Sequence, residues 1–359
     1  MLYQNLIILV LVFCFPPTIF AENLECSQFS NCEGCAGQID NSMKCRWCFD
    51  GNGTCVPSMY MCDPKYSVVH RVNCPLNIQE ASSGFNETLN REVILYYIHA
   101  ANRVASTSPV GAPMSCLLNL RDNFTLIREV EVNETMDSWS LGYIILVNHD
   151  LKHIVAGFRS TNHWRQLLMQ YFVFMLNWLE PFPLGGKIVG YYLNSYNTIL
   201  NSGFDVFINQ VATKYPNYDF ISCGHSLGGS LATVFSLHLA RMYPDRNVDL
   251  YSWSGPRAGD ETFVELLNQH VRKHYRVVRD GDLIPDMPLR VSEILPQAIH
   301  NGIEIFYPSH MAIGSYKVCD QAESQFCMKG SWWKSPFAHI YIFDGDFMNY
   351  NLDYCDYPK

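Results

Sequence analysis

The chain has 359 residues, 48% of them apolar or aromatic and 16% charged, with a formal charge of −9 at neutral pH. This is ample apolar material for the core of one large domain with a small appendage. No long basic block is present, so neither nucleic-acid binding nor electrostatic attraction to anionic membranes is indicated, and any membrane contact has to rest on apolar surface.

Residues 1–21 carry no charged side chain, run apolar from Leu6 to Phe15, break at Pro16-Pro17 and end in the small residue Ala21. This reads as a secretory signal, although its start lacks Lys and Arg. As a membrane anchor the run falls short of the roughly 20 apolar residues a bilayer requires. Fourteen cysteines, thirteen once Cys14 leaves with the signal, suit an oxidising compartment, as do the sequons at Asn52, Asn86, Asn123 and Asn133. The protein is therefore expected to be secreted, with glycosylation at those four asparagines.

Eight cysteines crowd between Cys26 and Cys74 among Gly, Asn and Pro turns. A segment this short buries little core and needs covalent staples. Cys32-x-x-Cys35 followed by Cys45-Arg-Trp-Cys48 raises zinc as an alternative, but the gap between the pairs is shorter than in common zinc ribbons and the compartment favours disulfides. The Cys-x5-Cys-x2-Cys start and the later Cys-x-Trp-Cys resemble the plexin-semaphorin-integrin cysteine module over residues 26–74, with connectivity undetermined. A polar stretch from Pro75 to Phe85 reads as a linker. The expected organisation is signal 1–21, cysteine-rich module 22–75, linker 76–85 and catalytic domain 86–359.

Within the last unit, residues 89–105 have helical spacing. Trp139–Val147 and Leu151–Phe158 are β-branched and aromatic runs flanking Asn148-His149-Asp150, a hairpin signal. Helical periodicity over Asn194–Lys214 is followed by strand Tyr218–Cys223, helix Ser226–Tyr243, strand Val248–Ser252, helix Asp260–Val271 and strand Tyr275–Arg279. Alternating strands and helices imply an α/β fold with a mostly parallel sheet covered on both faces, made mixed by the early hairpin.

Gly224-His225-Ser226-Leu227-Gly228-Gly229 matches G-x-S-x-G between an apolar strand and a helix that opens with small residues. Glycines around the serine permit a tight strand-to-helix turn that lifts Oγ clear of the backbone, where the Leu227 amide can meet an oxyanion. Glycine-rich turns before helices also occur without chemistry, but here the strand–turn–helix context is the one the motif needs. Serine requires a base, and the order Ser, acid, His of such folds directs attention downstream. The candidate acids are Asp280, Asp282 and Asp286, beyond the strand that ends at Arg279; the candidate bases are His300, His310 and His339. Position alone does not separate them.

Five ordered motifs between Gly157 and Phe343 resemble the class 3, fungal-type lipases: Phe158-Arg159-Ser160-Thr161 before an Asn-x-Trp, the GHSLGG turn, Ser254-Gly255-Pro256-Arg257-Ala258-Gly259, Asp282-Leu283-Ile284-Pro285 and Ala338-His339. The resemblance implies an α/β-hydrolase fold with the triad Ser226, Asp282 and His339, and oxyanion donors at Thr161 and Leu227. It makes His300 a structural histidine. Two positions depart from the family's pattern. Ser160 stands where the family usually has Gly, which matters if the backbone there needs a positive φ. Asp260 stands where Asn is common.

Trp164–Phe182 holds no charge between Arg165 and Glu180. It is either core or a lid, with Trp164, Leu167 and Leu168 at the start of the lid reading, since the resembling lipases place a short mobile helix there. Cys116, Cys223, Cys319, Cys327 and Cys355 are odd in number; Cys223 is expected as a buried free thiol, with Cys319–Cys327 and Cys116–Cys355 as bridges.

The function that follows is hydrolysis of a carboxylic ester through an acyl-enzyme, with no metal and no cofactor, and glycerolipid as the substrate class that the resemblance implies. Phospholipid or a simpler ester is an alternative substrate. A different class of reading is a secreted binding protein that uses the cysteine module for a protein partner and keeps the hydrolase fold as a scaffold.

Overall fold

The computed structural model describes residues 25–346 except 41–42, 50–52, 61, 64–65, 75–83, 105–111, 119, 121, 134–139, 162–177, 291–296, 320, 325, 336 and 344. Eight strands form one sheet: β1 Phe124–Asn133, β2 Ser140–Asn148, β3 His153–Phe158, β4 Asp219–His225, β5 Val248–Trp253, β6 Lys273–Arg279, β7 Ile303–Tyr307 and β8 Lys317–Cys319. They lie side by side in chain order. Strands β3 to β7 are mutually parallel, whereas β1, β2 and β8 add antiparallel edges. The expected mixed, mostly parallel sheet is present.

The period-2 alternation of the strands divides the apolar side chains between two cores. Tyr143, Ile145 and Val147 of β2, with Ile154, Ala156 and Phe158 of β3, enter one core. Ile144, Leu146 and Val155 point the other way, with Ile221, Cys223, Tyr251 and Trp253. Helices α2 Gly190–Asn201, α3 Phe204–Lys214, α4 Leu227–Met242 and α5 Glu261–His270 supply the first core. Helix α1, Leu95–Asn102, supplies the second and packs across β2, β3 and β4.

Helix α4 is buried along nearly its whole length, from Leu227 to Ala240, as a central helix laid on parallel strands must be. The single helical stretch expected over 194–214 is two helices, because Gly203 at φ 92° reverses the chain between them. The stretch expected as a helix over 89–105 begins as a short turn at Glu87–Leu89, passes through a π-helical turn at Asn90–Ile94 and ends at Asn102. Phe85, at the end of the expected linker, is buried against Tyr275 and Tyr316, with ring centroids 5.4 and 5.1 Å apart. No helix among the described residues is long and apolar enough to cross a membrane.

In the cysteine-rich region all eight cysteines are paired: Cys26–Cys45, Cys32–Cys74, Cys35–Cys55 and Cys48–Cys62. Its core is the cystines themselves with Ala36, Trp47 and Val68, so most of its stability is covalent, at about 2–4 kcal/mol per bridge. Cys319 pairs with Cys327, Cys116 is disulfide-bonded, Cys223 is a buried free thiol, and Cys355 lies outside the described residues.

This region is docked against α5. Val72 inserts into the first core of the larger domain. Glu261, in the first turn of α5, receives the Arg71 N–H at 2.8 Å, lies 2.8 Å from His70 Nδ1 and 3.7 Å from Lys44 Nζ. Asp260 caps the same helix by accepting the Phe263 N–H at 3.0 Å, and also accepts the Lys187 N–H at 3.0 Å. An acidic cap serves there as well as Asn would.

Burial pushes the Glu261 carboxyl up, but the hydrogen bond and charge of His70, with Lys44 and the Arg71 amide, outweigh this and hold it below the ordinary glutamate range. A depressed folded-state pKa contributes stability above the unfolded value and loses it as pH falls through the folded one. Glu261→Gln is therefore expected to cost about 2 kcal/mol at neutral pH. It should also flatten the decline in Tm below about pH 4.3, as read by thermal melts from neutral to acid.

Candidate active site

Strand β4 ends at His225 and α4 begins at Leu227, so the reversal falls on Ser226 alone, at φ 57° and ψ −126°. A residue with a Cβ holds such a conformation only under constraint, at about 1–3 kcal/mol. The strand ladder supplies part of that constraint, since the Ser226 N–H donates to the Trp253 carbonyl at 2.9 Å. Packing supplies the rest. A Cβ on Gly228 would overlap the Phe158 carbonyl, and one on Gly224 would overlap the Gly228 backbone. The glycines thus let the turn press against the end of β3, which is where the oxyanion candidate Thr161 is carried. Ser226 is buried, and its Oγ makes no hydrogen bond among the described residues.

His339 and Asp282 are brought together from 57 residues apart. Nδ1 of the imidazole lies 3.0 Å from Asp282 Oδ2 and 3.1 Å from Oδ1, and both side chains are buried. Asp282 Oδ1 also accepts the Ile284 N–H at 2.9 Å. With the proton held at Nδ1 by the carboxylate, Nε2 is the basic atom of the ring.

The other candidates from the sequence fall elsewhere. Asp280 accepts from Ser331 Oγ. Asp286 binds Arg257 at 2.9 Å and Lys334 at 2.7 Å. His300 Nε2 donates to the Pro285 carbonyl at 2.7 Å, and His310 Nδ1 accepts the Ala312 N–H at 3.1 Å.

Around the candidate oxyanion segment, the Ser160 N–H and Oγ–H both donate to Asn102 Oδ1, at 2.9 and 3.1 Å. Ser160 is not among the residues with left-handed backbone, so a side chain is accommodated where the family usually has Gly. Arg159 lies buried beneath, donating to the carbonyls of Val104 and Ser140 and pairing with Glu131 at 3.2 Å. Thr161 follows, half-buried. Leu227 opens α4 and is buried. The lid candidates Trp164, Leu167 and Leu168 lie outside the described residues. The C-terminal end of that apolar stretch packs on the body: Leu179–Pro181 pairs with Lys187–Val189, and Phe182 meets Tyr196 and Phe263.

Two residues without a role in the sequence reading belong to this neighbourhood. Asn102, whose signal was a lone amide at the end of an apolar helix, holds Ser160. His225 stacks on His339 with ring centroids 4.6 Å apart and donates Nε2–H to the His339 carbonyl at 3.1 Å. Burial, with the neighbouring His339, pushes His225 well below the ordinary histidine range. It is therefore neutral and adds no charge beside its partner.

Of the four sequons, Asn86 and Asn123 are exposed, Asn133 ends strand β1, and Asn52 lies outside the described residues.

The sheet order, with a central helix after β4, is that of an α/β-hydrolase fold. The same fold is found in the lipase of Rhizopus microsporus var. chinensis, with a TM-score of 0.62 at 22% identity over 74% of this chain and 91% of that one. Residues 155–292 match the family described as Lipase (class 3). A lipase of Rhizopus niveus is 28% identical over 193 residues, 52% of this chain and 46% of its own. A secreted mono- and diacylglycerol lipase of Fusarium solani is 25% identical over 216 residues, 56% and 60% of the two chains. Over these residues the chain is similar to the class 3, fungal-type lipases. It spans 46% to 60% of the length of these two curated relatives.

Asn102→Ala removes the shared acceptor of two buried Ser160 donors and is expected to cost about 2 kcal/mol in chemical denaturation. Asn102→Asp keeps the acceptor but buries a carboxylate, and should recover only part of that loss.

Proposed function

We propose that the protein is a serine carboxylic-ester hydrolase acting on glycerolipid esters. The observation that carries this reading is Ser226 in its strained turn on the same molecule as the buried Asp282–His339 pair. Ser226 Oγ attacks the ester carbonyl carbon while His339 Nε2 takes its proton, and Asp282 holds the Nδ1–H and balances the imidazolium. The carbonyl becomes an oxyanion facing the Leu227 N–H, with the Thr161 N–H and hydroxyl as the second set of donors. His339 then returns the proton to the departing alkoxide, leaving an acyl-serine. Water attacks the acyl carbon with His339 again as base, and the carboxylic acid leaves as Ser226 is restored. The residues complete this cycle without a redox step or added cofactor.

Glycerolipid as substrate, triacylglycerol-like in the first instance, rests on the mono- and diacylglycerol lipase relative and on the apolar segment 164–182. That relative is also described as secreted. Together with four bridges in the cysteine-rich region and exposed sequons at Asn86 and Asn123, it supports secretion after removal of residues 1–21 and glycosylation of the mature chain. In this reading residues 22–75 form the plexin-semaphorin-integrin-like module, 76–85 the linker and 86–359 the hydrolase domain.

The test is turnover of a short-chain ester, emulsified triacylglycerol, diacylglycerol and phospholipid by the secreted protein and its variants. Ser226→Ala is expected to abolish turnover, Asp282→Asn to lower kcat by at least about a thousandfold, and Asp280→Asn to change it by only a small factor. A folded wild type no faster than Ser226→Ala on every substrate would return the chain to the binding-protein reading.

A further inference from the structure

The segment 328–343 carries Trp332, Trp333, Phe337 and Tyr341 and not one Asp or Glu, in a chain of formal charge −9. All four rings are open to solvent: Trp332 is 96% exposed, Trp333 60%, Phe337 60% and Tyr341 47%. Single apolar residues on a surface need no explanation, but four exposed large rings within ten residues of chain do. The same segment carries His339, which is 3% exposed. Its outer side is thus an aromatic surface, and its inner side delivers the imidazole to Asp282.

The rings are held outward by the way the segment is tied down. The Ser335 N–H donates to the Gly281 carbonyl at 2.7 Å, and Ser335 bridges to Asp282. Lys334 Nζ reaches Asp286 at 2.7 Å, and Arg279 Nη1 donates to the Ala338 carbonyl at 3.1 Å. Trp333 lies over Gly281, where a Cβ would sit 3.5 Å from the ring. These bonds join the patch to the loop that carries Asp282.

We propose that Trp332, Trp333, Phe337 and Tyr341 form a lipid-surface anchor, which seats the protein on neutral or zwitterionic lipid and presents Ser226 to it; the role of Ser226 in this statement rests on the hydrolase reading. Three observations select a lipid surface as the occupant. Indole and phenol rings pair an apolar body with a polar edge, which suits the boundary between headgroups and acyl chains. The patch has no carboxylate to be repelled or desolvated, and Lys334 is already neutralised by Asp286, so attachment is apolar and insensitive to salt, as the net charge requires. The patch also flanks the histidine, and a water-insoluble ester has to be met at the surface of its aggregate.

Binding is measured in the Ser226→Ala background, so that turnover does not alter the surface. The full chain is sedimented with phosphatidylcholine vesicles doped with diacylglycerol, beside a form that also carries Trp332→Ser and Trp333→Ser. Loss of two interfacial indoles is expected to lower the partition coefficient by at least about tenfold, with an unchanged Tm and no rescue or loss at high salt. If the double serine variant fails to fold, Trp332→Phe and Trp333→Phe replace it, and the readout is quenching of tryptophan fluorescence by brominated phosphatidylcholine, which should fall sharply.

Equal partitioning with and without the two indoles overturns the proposal. So does a self-associating protein that becomes monomeric in the double variant and never binds vesicles, which would make the patch a contact between copies. Indole-dependent vesicle binding by a protein whose wild type turns over no ester supports the anchor and removes only the hydrolase reading. Ester turnover without vesicle binding removes only the anchor.

Discussion

The turn at Ser226 depends on a close approach that only absent side chains permit. Gly228 meets the Phe158 carbonyl at the end of one parallel strand, and Gly224 meets the Gly228 backbone at the end of the next. With no Cβ at either place, α4 drops onto the sheet and the serine takes a conformation it would not choose. The rest of the fold resists its relaxation. The Ser226 amide is fixed to β5 through Trp253, and α4 is sealed on all sides by α2, α3, α5 and the strands. The strain is sustained because the surrounding packing would have to open for it to relax.

The acid loop is held by a different kind of force. Arg257, from the turn after β5, is buried with Glu323 at 2.7 Å, and reaches Asp286 and the Pro288 carbonyl. Arg276 of β6 pairs with Glu304 of β7 at 3.1 Å and bonds the carbonyls of Asn301 and Ala322. Burial pushes Glu323 up, but Arg257 dominates and holds it well below the ordinary range. Such buried pairs add little net stability, yet removing one partner costs about 3–5 kcal/mol because the other is left charged in the interior. Their consequence here is positional. His300, kept neutral by burial, donates to the Pro285 carbonyl three residues from Asp282. The carboxylate that meets His339 is thus set in a loop whose backbone is bonded from several directions.

The cysteine-rich region shows how a small unit with little core becomes part of a larger one. Its cystines fix its shape, and Glu261 with Val72 fix where it sits. The docking point is the first turn of α5, where a carboxylate is also favoured by the helix dipole. Nothing in the cysteine spacing pointed to that contact, since His70 and Glu261 are 191 residues apart.

Local order set what could be read from the sequence. The parallel strands and the helices between them are short runs whose period reports burial on one or two faces, so β2 to β6, α4 and α5 appear within a few residues of their expected bounds. The turn at Ser226 was legible because its glycines and serine lie within six consecutive residues. Strand β1 was missed, since Phe124–Asn133 alternates charged with apolar residues at a sheet edge and contains a register shift near Ile127. From position alone the acid stayed open among Asp280, Asp282 and Asp286, and the histidine among His300, His310 and His339. The family resemblance pointed to Asp282 and His339, and in the folded chain each candidate finds a different partner: Ser331, His339 or Arg257 for the acids, and Pro285, Ala312 or Asp282 for the histidines. The stacking of His225, the hold of Asn102 on Ser160 and the exposed face of the histidine loop were likewise decided by tertiary structure. A local pattern records which face of an element is dry, whereas a contact across the fold depends on which elements the sheet order brings to the same end.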